Sequence, residues 1–196
     1  MHDDLGSGLT KIAVLSEVAK QQLHDPSKAI EQLENIAGSS RELVDSLQDI
    51  IWVLNPKNDT LESLAAYTRE YTSRFLEPSG IRAQFNFPDS FPGIRLSEET
   101  RRNIFLVIKE SLNNIVKHAS CHSITISLES TVDRIRMTIT DDGRGFDSSL
   151  LRPFSNGLTN MKNRMQQVGG NLEINSVVGR GTTVTLLCDV PGNGKV

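Results

Sequence analysis

The hydrophobic pattern of this chain changes period partway along, and that change constrains the fold more than any other feature. From Leu5 the apolar positions Leu5, Leu9, Ile12, Ala19 and Leu23 recur at helical spacing, as residues sharing one face of a 3.6-residue helix do. Asp25-Pro26 then offers a capping carboxylate followed by a proline at the first helical position. Leu33, Ile36, Leu43, Leu47, Ile50 and Leu54 carry the three-to-four spacing on to Asn55-Pro56, where the proline stops it. The expectation is a helical hairpin. Two amphipathic arms alone leave part of both stripes in water, so pairing with a second copy into a four-helix bundle, a homodimer, is the economical arrangement.

Beyond the proline, Asp59 or Thr60 can cap a third helix through Leu61, Leu64, Tyr67, Tyr71 and Phe75, ending at Pro78-Ser79-Gly80. The period then drops to two. Ala83 to Phe87 alternates as a strand does, and Ser97 opens a long helix reaching about Ala119. Ile124/Ile126/Leu128 and Ile135/Met137/Ile139 alternate again, a Gly-rich turn follows, and a helix from about Leu158 to Val168 precedes strands near Leu172–Ile174 and Val184–Cys188. Strands and helices mix without regular βαβ alternation, which predicts an α+β sandwich with helices on one face of a mostly antiparallel sheet. Two domains are expected: 1–56, the hairpin, and 57–196, an α/β sandwich in which 57–79 is a connecting helix.

The bulk numbers exclude several function classes. The 196 residues are 37% hydrophobic and 23% charged, ordinary for a globular protein with a sizeable core. Net charge is -3 and no Lys/Arg cluster stands out, so no nucleic-acid partner is expected. Apolar runs are too short for a membrane span and the start lacks a signal-peptide pattern, so the expectation is a cytoplasmic piece that makes no membrane contact. Cys121 and Cys188 are far apart and lack metal or redox spacing, which predicts reduced thiols. His24 and His122 sit in no motif and are expected at the surface or in turns.

Four short segments carry chemistry. At the end of a strand, Asp141-Asp142-Gly143-Arg144-Gly145-Phe146 puts Asp141 in phase with Ile135, Met137 and Ile139, so a carboxylate continues the buried face while Asp142 points the other way. A buried carboxylate needs donors, and the exocyclic amine of an adenine is one; Gly143 and Gly145 would let the backbone approach such a ligand. Alone, the segment reads equally as an acidic β-turn. On the long helix, Glu110, Asn114 and Lys117 share one face with His118 beside them. Asn114 could give a neutral oxygen to Mg²⁺ and Lys117 could meet phosphate, although an ordinary solvated helix face has the same pattern. Asn156-Gly157-Leu158 opens a helix whose N–H groups favour phosphate, or is simply a cap. In Gly179-Arg180-Gly181-Thr182-Thr183, parity turns the Thr182 hydroxyl inward toward Asp141 and Thr183 away; the alternative is a plain hairpin turn.

Taken in this order, Glu110-x-x-x-Asn114-x-x-Lys117-His118, Asp141-x-Gly143-x-Gly145-Phe146, Gly157-Leu158 with Asn160-Met161 and Arg164, and Gly179-x-Gly181-Thr182 resemble the N, G1, G2 and closing Gly-Thr boxes of the GHKL ATP-binding fold of gyrase, heat-shock chaperone, mismatch-repair and histidine-kinase ATPases. The resemblance covers about residues 80 to 190. It implies that ATP and Mg²⁺ bind, that Asp141 reads adenine, that Asn114 holds the metal, and that 147–157 is the ATP lid.

His2-Asp3-Asp4-Leu5-Gly6 resembles the H box of the histidine-kinase subfamily that includes nitrate and membrane-fluidity sensors. Residues 2–17 with Ile51–Pro56 are similar to large hybrid sensors of the Bacteroidetes type. The resemblance implies that His2 accepts phosphate from ATP, that Asp3 orients and deprotonates its other ring nitrogen, that Glu110 is a further candidate base, and that the phosphate passes to a response-regulator receiver domain. It also implies a larger parent protein, since the family has a helical lead-in and a sensor before the histidine. Where many members of the subfamily place a glutamine five residues after that histidine, this chain has Ser7. Two rivals stay open: a GHKL module that only hydrolyses ATP, and a non-catalytic dimerisation module.

Overall fold

A computed structural model describes residues 2–91, 93–147 and 156–190, with only the backbone described at 2–4 and 156. The chain divides into two compact units, one ending at Asn55 and the other beginning at Pro56.

The first unit is a hairpin of α1 (His2–Gln21) and α2 (Pro26–Leu54). Asp25 caps α2, its side chain accepting from the Lys28 N–H, with Pro26 at the first helical position where no donor is lost. Ala19, Ala29, Ser39, Asp49 and Val53 are buried. Leu9, Val14, Leu23, Ile30, Leu33, Val44, Leu47, Ile51 and Leu54 stay exposed. Much of the apolar stripe seen in the sequence therefore faces outward on a single copy.

The second unit begins with a 3₁₀ turn (Pro56–Asn58) and α3 (Leu61–Leu76), capped by Thr60, whose hydroxyl accepts from the Ser63 N–H. Next come β1 (Arg82–Asn86), α4 (Glu98–Asn114) capped by Ser97, a π-turn (Ile115–Ala119), β2 (Ser123–Ser130), β3 (Arg134–Asp141), α5 (Asn156–Gln167), β4 (Asn171–Ser176) and β5 (Thr182–Asp189). Among the described residues the strands form one sheet in the order β1-β2-β3-β5-β4. Of these pairs β1 and β2 run parallel, which their long connection through α4 allows; the other pairs are antiparallel.

Alternation sorts the two faces of the sheet. Ile124, Ile126 and Leu128, Ile135, Met137 and Ile139, and Leu186 and Cys188 are buried with at most 3% exposure. Ile104, Ile108 and Leu112 of α4 and Met161 and Met165 of α5 are equally buried, so the helices and the apolar face share one core. A strap ties the start of α3 to the approach to α4: Leu61 N–H donates to Ile94 O (3.1 Å), Leu96 N–H to Asp59 O (2.6 Å), and Arg95 Nη1 meets Asp59 Oδ2 (2.6 Å). Cys188 is buried, Cys121 half-buried, and both are unbridged thiols. His24 lies in the turn after α1 and His122 just before β2, both exposed.

Candidate functional site

β3 delivers Asp141 to the bottom of a cavity of about 460 Å³. Ile139, Asp141, Ile174, Thr182 and Val184 from the sheet form its floor; Glu110, Ser111, Asn114, Ile115, His118 and Ala119 form one wall; Gly157 and Leu158 of α5 and the loop residues Arg144, Gly145 and Phe146 complete it. The lining is an apolar slot with a few polar groups at fixed places, the usual form of a small-molecule site.

Asp141 is 4% exposed. Burial raises its pKa above the ordinary carboxylate value, opposed by the backbone N–H groups of Gly143 and Thr182 and reinforced by neighbouring Asp142. The Gly143 N–H donates to Asp141 Oδ1 at 2.9 Å. A carboxylate with its charge disfavoured, facing a cavity, gains from a further donor supplied by a ligand. Asp142 points the other way, as strand parity requires: Oδ1 accepts from the His122 N–H (2.8 Å) and the Ser123 N–H (2.9 Å), and Oδ2 from the Ser123 hydroxyl (2.7 Å).

The two glycines of this segment also serve the chain's own packing. A Cβ at Gly143 would collide with the Ala119 carbonyl and one at Gly145 with the Val177 carbonyl. Both positions are needed for the chain's own close packing, and of the two only Gly145 lines the cavity. Gly181 (φ +81°) is in the left-handed region, with its α-carbon against the Asp141 carbonyl. It shapes the turn into β5 and does not line the cavity.

Thr182 pairs with Asp141 across the β3–β5 ladder. Its backbone N–H acts on the Asp141 carboxylate, while its hydroxyl is shared with Ser176 Oγ (2.9 Å). The hydroxyl contact with Asp141 expected from parity is thus replaced by a backbone one, because Ser176 faces Thr182 in the β4–β5 register. Thr183 turns to the other face and meets Thr140 (3.2 Å). Ser176 is a residue that sequence reasoning missed: it also accepts from the Phe146 N–H (2.9 Å) and donates to Gly181 O (3.1 Å), joining the loop after β3 to the β4–β5 turn.

Along α4, Glu110 and Asn114 line the cavity as the helical spacing predicts, but Lys117 does not. The π-turn accounts for the difference. With i→i+5 bonding, more residues fit in each turn, so the residues in line with Asn114 one turn on are His118 and Ala119, and Lys117 falls short of that face. Lys117 is exposed; His118 and Ala119 line the cavity. Gly157, at the start of α5, packs directly against the Glu110 carboxylate. The side chains of His2, Asp3 and Asn156, and lid residues 148–155, lie outside the described residues. The apolar residues Ile115, Ile139, Ile174 and Val184 were also absent from the expected site, although strand parity and helix spacing pointed them inward.

No cluster of three His, Cys, Asp or Glu side chains able to hold a metal occurs among the described residues. A divalent ion here would have to share its shell with ligand oxygens and water, the habit of Mg²⁺ in nucleotide sites, and the half-buried Asn114 amide on the polar wall fits that role. No helix among the described residues is long and apolar enough to cross a membrane.

Residues 99–192 match the family described as histidine kinase-, DNA gyrase B-, and HSP90-like ATPase, which implies ATP binding, and residues 1–59 match the family described as histidine kinase. An uncharacterized sensor-like histidine kinase of Chloroflexus aurantiacus is 27% identical over 197 residues, covering 97% of this chain and 33% of its own length. The sensor histidine kinase LiaS of Bacillus subtilis is 23% identical (94% of this chain, 50% of its own), and the signal transduction histidine-protein kinase/phosphatase UhpB of Salmonella typhimurium 29% (95% and 37%). The chain thus spans between a third and half of the length of these curated relatives. In fold it is similar to the histidine kinase domain of a blue-light activated histidine kinase from Erythrobacter litoralis (TM-score 0.55, 21% identity, 95% of this chain and 94% of that one) and to the Acinetobacter baumannii histidine kinase AdeS (TM-score 0.58, 16% identity, 94% and 97%). With a histidine-kinase hairpin followed on one chain by an ATPase domain of the histidine kinase-, DNA gyrase B- and HSP90-like family, this chain belongs to the histidine kinases.

Proposed function

We propose that this chain is the catalytic core of a sensor histidine kinase that phosphorylates His2 from ATP and passes the phosphate to an aspartate of a response-regulator receiver domain. The observation that carries the reading is the Asp141 carboxylate, buried at the end of an apolar slot with its charge disfavoured and its face toward the cavity. An adenine amine donates there, and the apolar residues around it accept the purine ring. Between Asp141 and the Glu110–Gly157 end of the slot, Asn114 would hold Mg²⁺, which would offset charge on the triphosphate. The His118 side chain and the N–H groups opening α5 serve the nucleotide beside Asn114, and Lys117 adds positive charge at the rim.

Residues 1–56 serve as the dimerisation and phosphotransfer hairpin and 57–196 as the ATP-binding domain. The exposed apolar positions of α1 and α2 support pairing with a second copy. In the transfer step a ring nitrogen of His2 attacks the γ-phosphorus in line, the bond to the leaving oxygen of ADP breaks, and the proton on the other ring nitrogen is taken by Asp3. Glu110 is an additional candidate base. The piece acts in the cytoplasm as part of a membrane-anchored sensor. Incubation with γ-labelled ATP tests the reading. Label on the protein supports it; free phosphate alone would make the chain an ATPase module, and neither would make it a non-catalytic one.

A further inference from the structure

The cavity has two distinguishable ends. Glu110 and Gly157 meet at one of them. Asp141 and Ala119 lie at the other, with the Gly143 α-carbon packed behind them against the Ala119 carbonyl and Asp141 Oδ1. Nine residue steps along α4 and its π-turn separate Glu110 from Ala119, roughly 12–13 Å of helix at up to about 1.5 Å per step. Arg144 belongs to the Asp141 end. Its N–H donates to Ala119 O (2.8 Å) and its carbonyl accepts from the Gly179 N–H (2.7 Å), so its backbone is pinned on both sides of the cavity rim. The residue is exposed yet lines the cavity, and no salt bridge to it is formed among the described residues.

We propose that Arg144 is a base-clamping residue, its guanidinium lying over the open face of the purine whose amine Asp141 receives. This inference rests on the ATP-site reading of the cavity. The position favours the ring over the phosphates, because Arg144 is anchored beside the base-reading carboxylate and away from the Glu110–Gly157 end. A planar, weakly hydrated guanidinium can lie flat against a π-face, a geometry that a compact, strongly hydrated ammonium cannot adopt. Its backbone bonds do not depend on the side chain, so truncation leaves the loop in place.

Calorimetric titration of wild type, Arg144→Ala and Arg144→Lys with adenosine and with a non-hydrolysable ATP analogue tests the proposal. Arg144→Ala should weaken both ligands by the same factor, about fivefold to thirtyfold, and Arg144→Lys should lie near the alanine variant because the planar contact is gone. A loss confined to the ATP analogue and rescued by lysine would overturn the proposal in favour of a phosphate contact. Unchanged affinity for both ligands would remove Arg144 from the site altogether. Failure of wild type to bind either ligand would instead sink the ATP-site reading, and the clamp with it.

Discussion

Asp142 holds Ser123 at two points, the backbone N–H at 2.9 Å and the hydroxyl at 2.7 Å, and these bonds fix the start of β2 against the end of β3. They also draw the Asp142 carboxyl down to about 2, the Ser123 backbone bond being the largest cause. A depressed carboxyl pKa contributes stability that is present above the unfolded value of 3.8 and lost as pH falls through the folded one. Asp142 therefore contributes to acid unfolding between about pH 4 and pH 2. Asp142→Ala should cost about 1–2 kcal/mol at neutral pH, at the low end for charged hydrogen bonds because the group is exposed, and should flatten the acid limb of stability over that window. Denaturant melts from pH 2 to 7 measure both; equal acid sensitivity in the two proteins would refute the assignment.

Asp141 carries the opposite sign. Its raised pKa means that ionisation opposes folding: its contribution is most favourable below pH 3.8 and declines as pH rises through the folded value. Asp141→Asn should therefore match or exceed wild-type thermal stability at pH 7 and still lose nucleotide binding, because an amide can present a donor to the adenine amine. Titration with a non-hydrolysable ATP analogue, alongside a thermal melt, checks the pair of outcomes. A variant that binds normally would take Asp141 out of the adenine site.

Gly181→Ala should destabilise the second unit by at least about 2 kcal/mol, since its φ of +81° is strained for an L-residue and the new Cβ would meet the Asp141 carbonyl. Urea unfolding of the variant measures it, and a loss below 1 kcal/mol would show that the turn relaxes easily.

His2→Gln should keep wild-type ATP affinity and lose all protein-bound label, and the wild-type adduct should be acid-labile and base-stable. Peptide mapping decides the site. Phosphate on His24 or His118 would show the acceptor assignment to be mistaken.

Ser7 replaces the glutamine that many members of the subfamily carry five residues after the phosphoaccepting histidine, where its amide is thought to position water for removing phosphate from the regulator. A hydroxyl is shorter and has one donor, so this chain should be a weak phosphatase, unlike the relative named a kinase/phosphatase. Gly8, beside it, has a packing role, since a Cβ there would press on Leu43 Cδ1 at 2.9 Å. Ser7→Gln should raise the rate of receiver dephosphorylation. Rapid wild-type turnover, unimproved in the variant, would overturn the argument.

Much of this was legible in the residues. Asp25-Pro26, Thr60 and Ser97 announce their helices because caps are local chemistry, and the period of two put Asp141 inside and Asp142 outside. The strap between Asp59 and Arg95 was not, since the partners are 36 positions apart and neither carries a motif. Ser176 was missed because it carries no motif: it joins Phe146, 30 positions away, to Gly181 and Thr182 across the β4–β5 turn. The buried Arg101, 2% exposed on α4, sits where a charged residue reads as surface. Ile115 to Ala119 fits a continued α-helix as well as a wider turn, so Lys117 was assigned to the cavity face and His118 placed beside it.

That wider turn lets one helix keep two independent registers. Upstream of it, Ile104, Ile108 and Leu112 lock α4 into the core with no exposure at all. Downstream, the residues that reach the cavity follow a different phase. Gain or loss of a single residue between Asn114 and Ser120 would re-aim the far end of the site while leaving Ile104, Ile108 and Leu112 in their places. Divergence in nucleotide contacts can thus proceed here by a change of length, at a point where most helices tolerate only substitution.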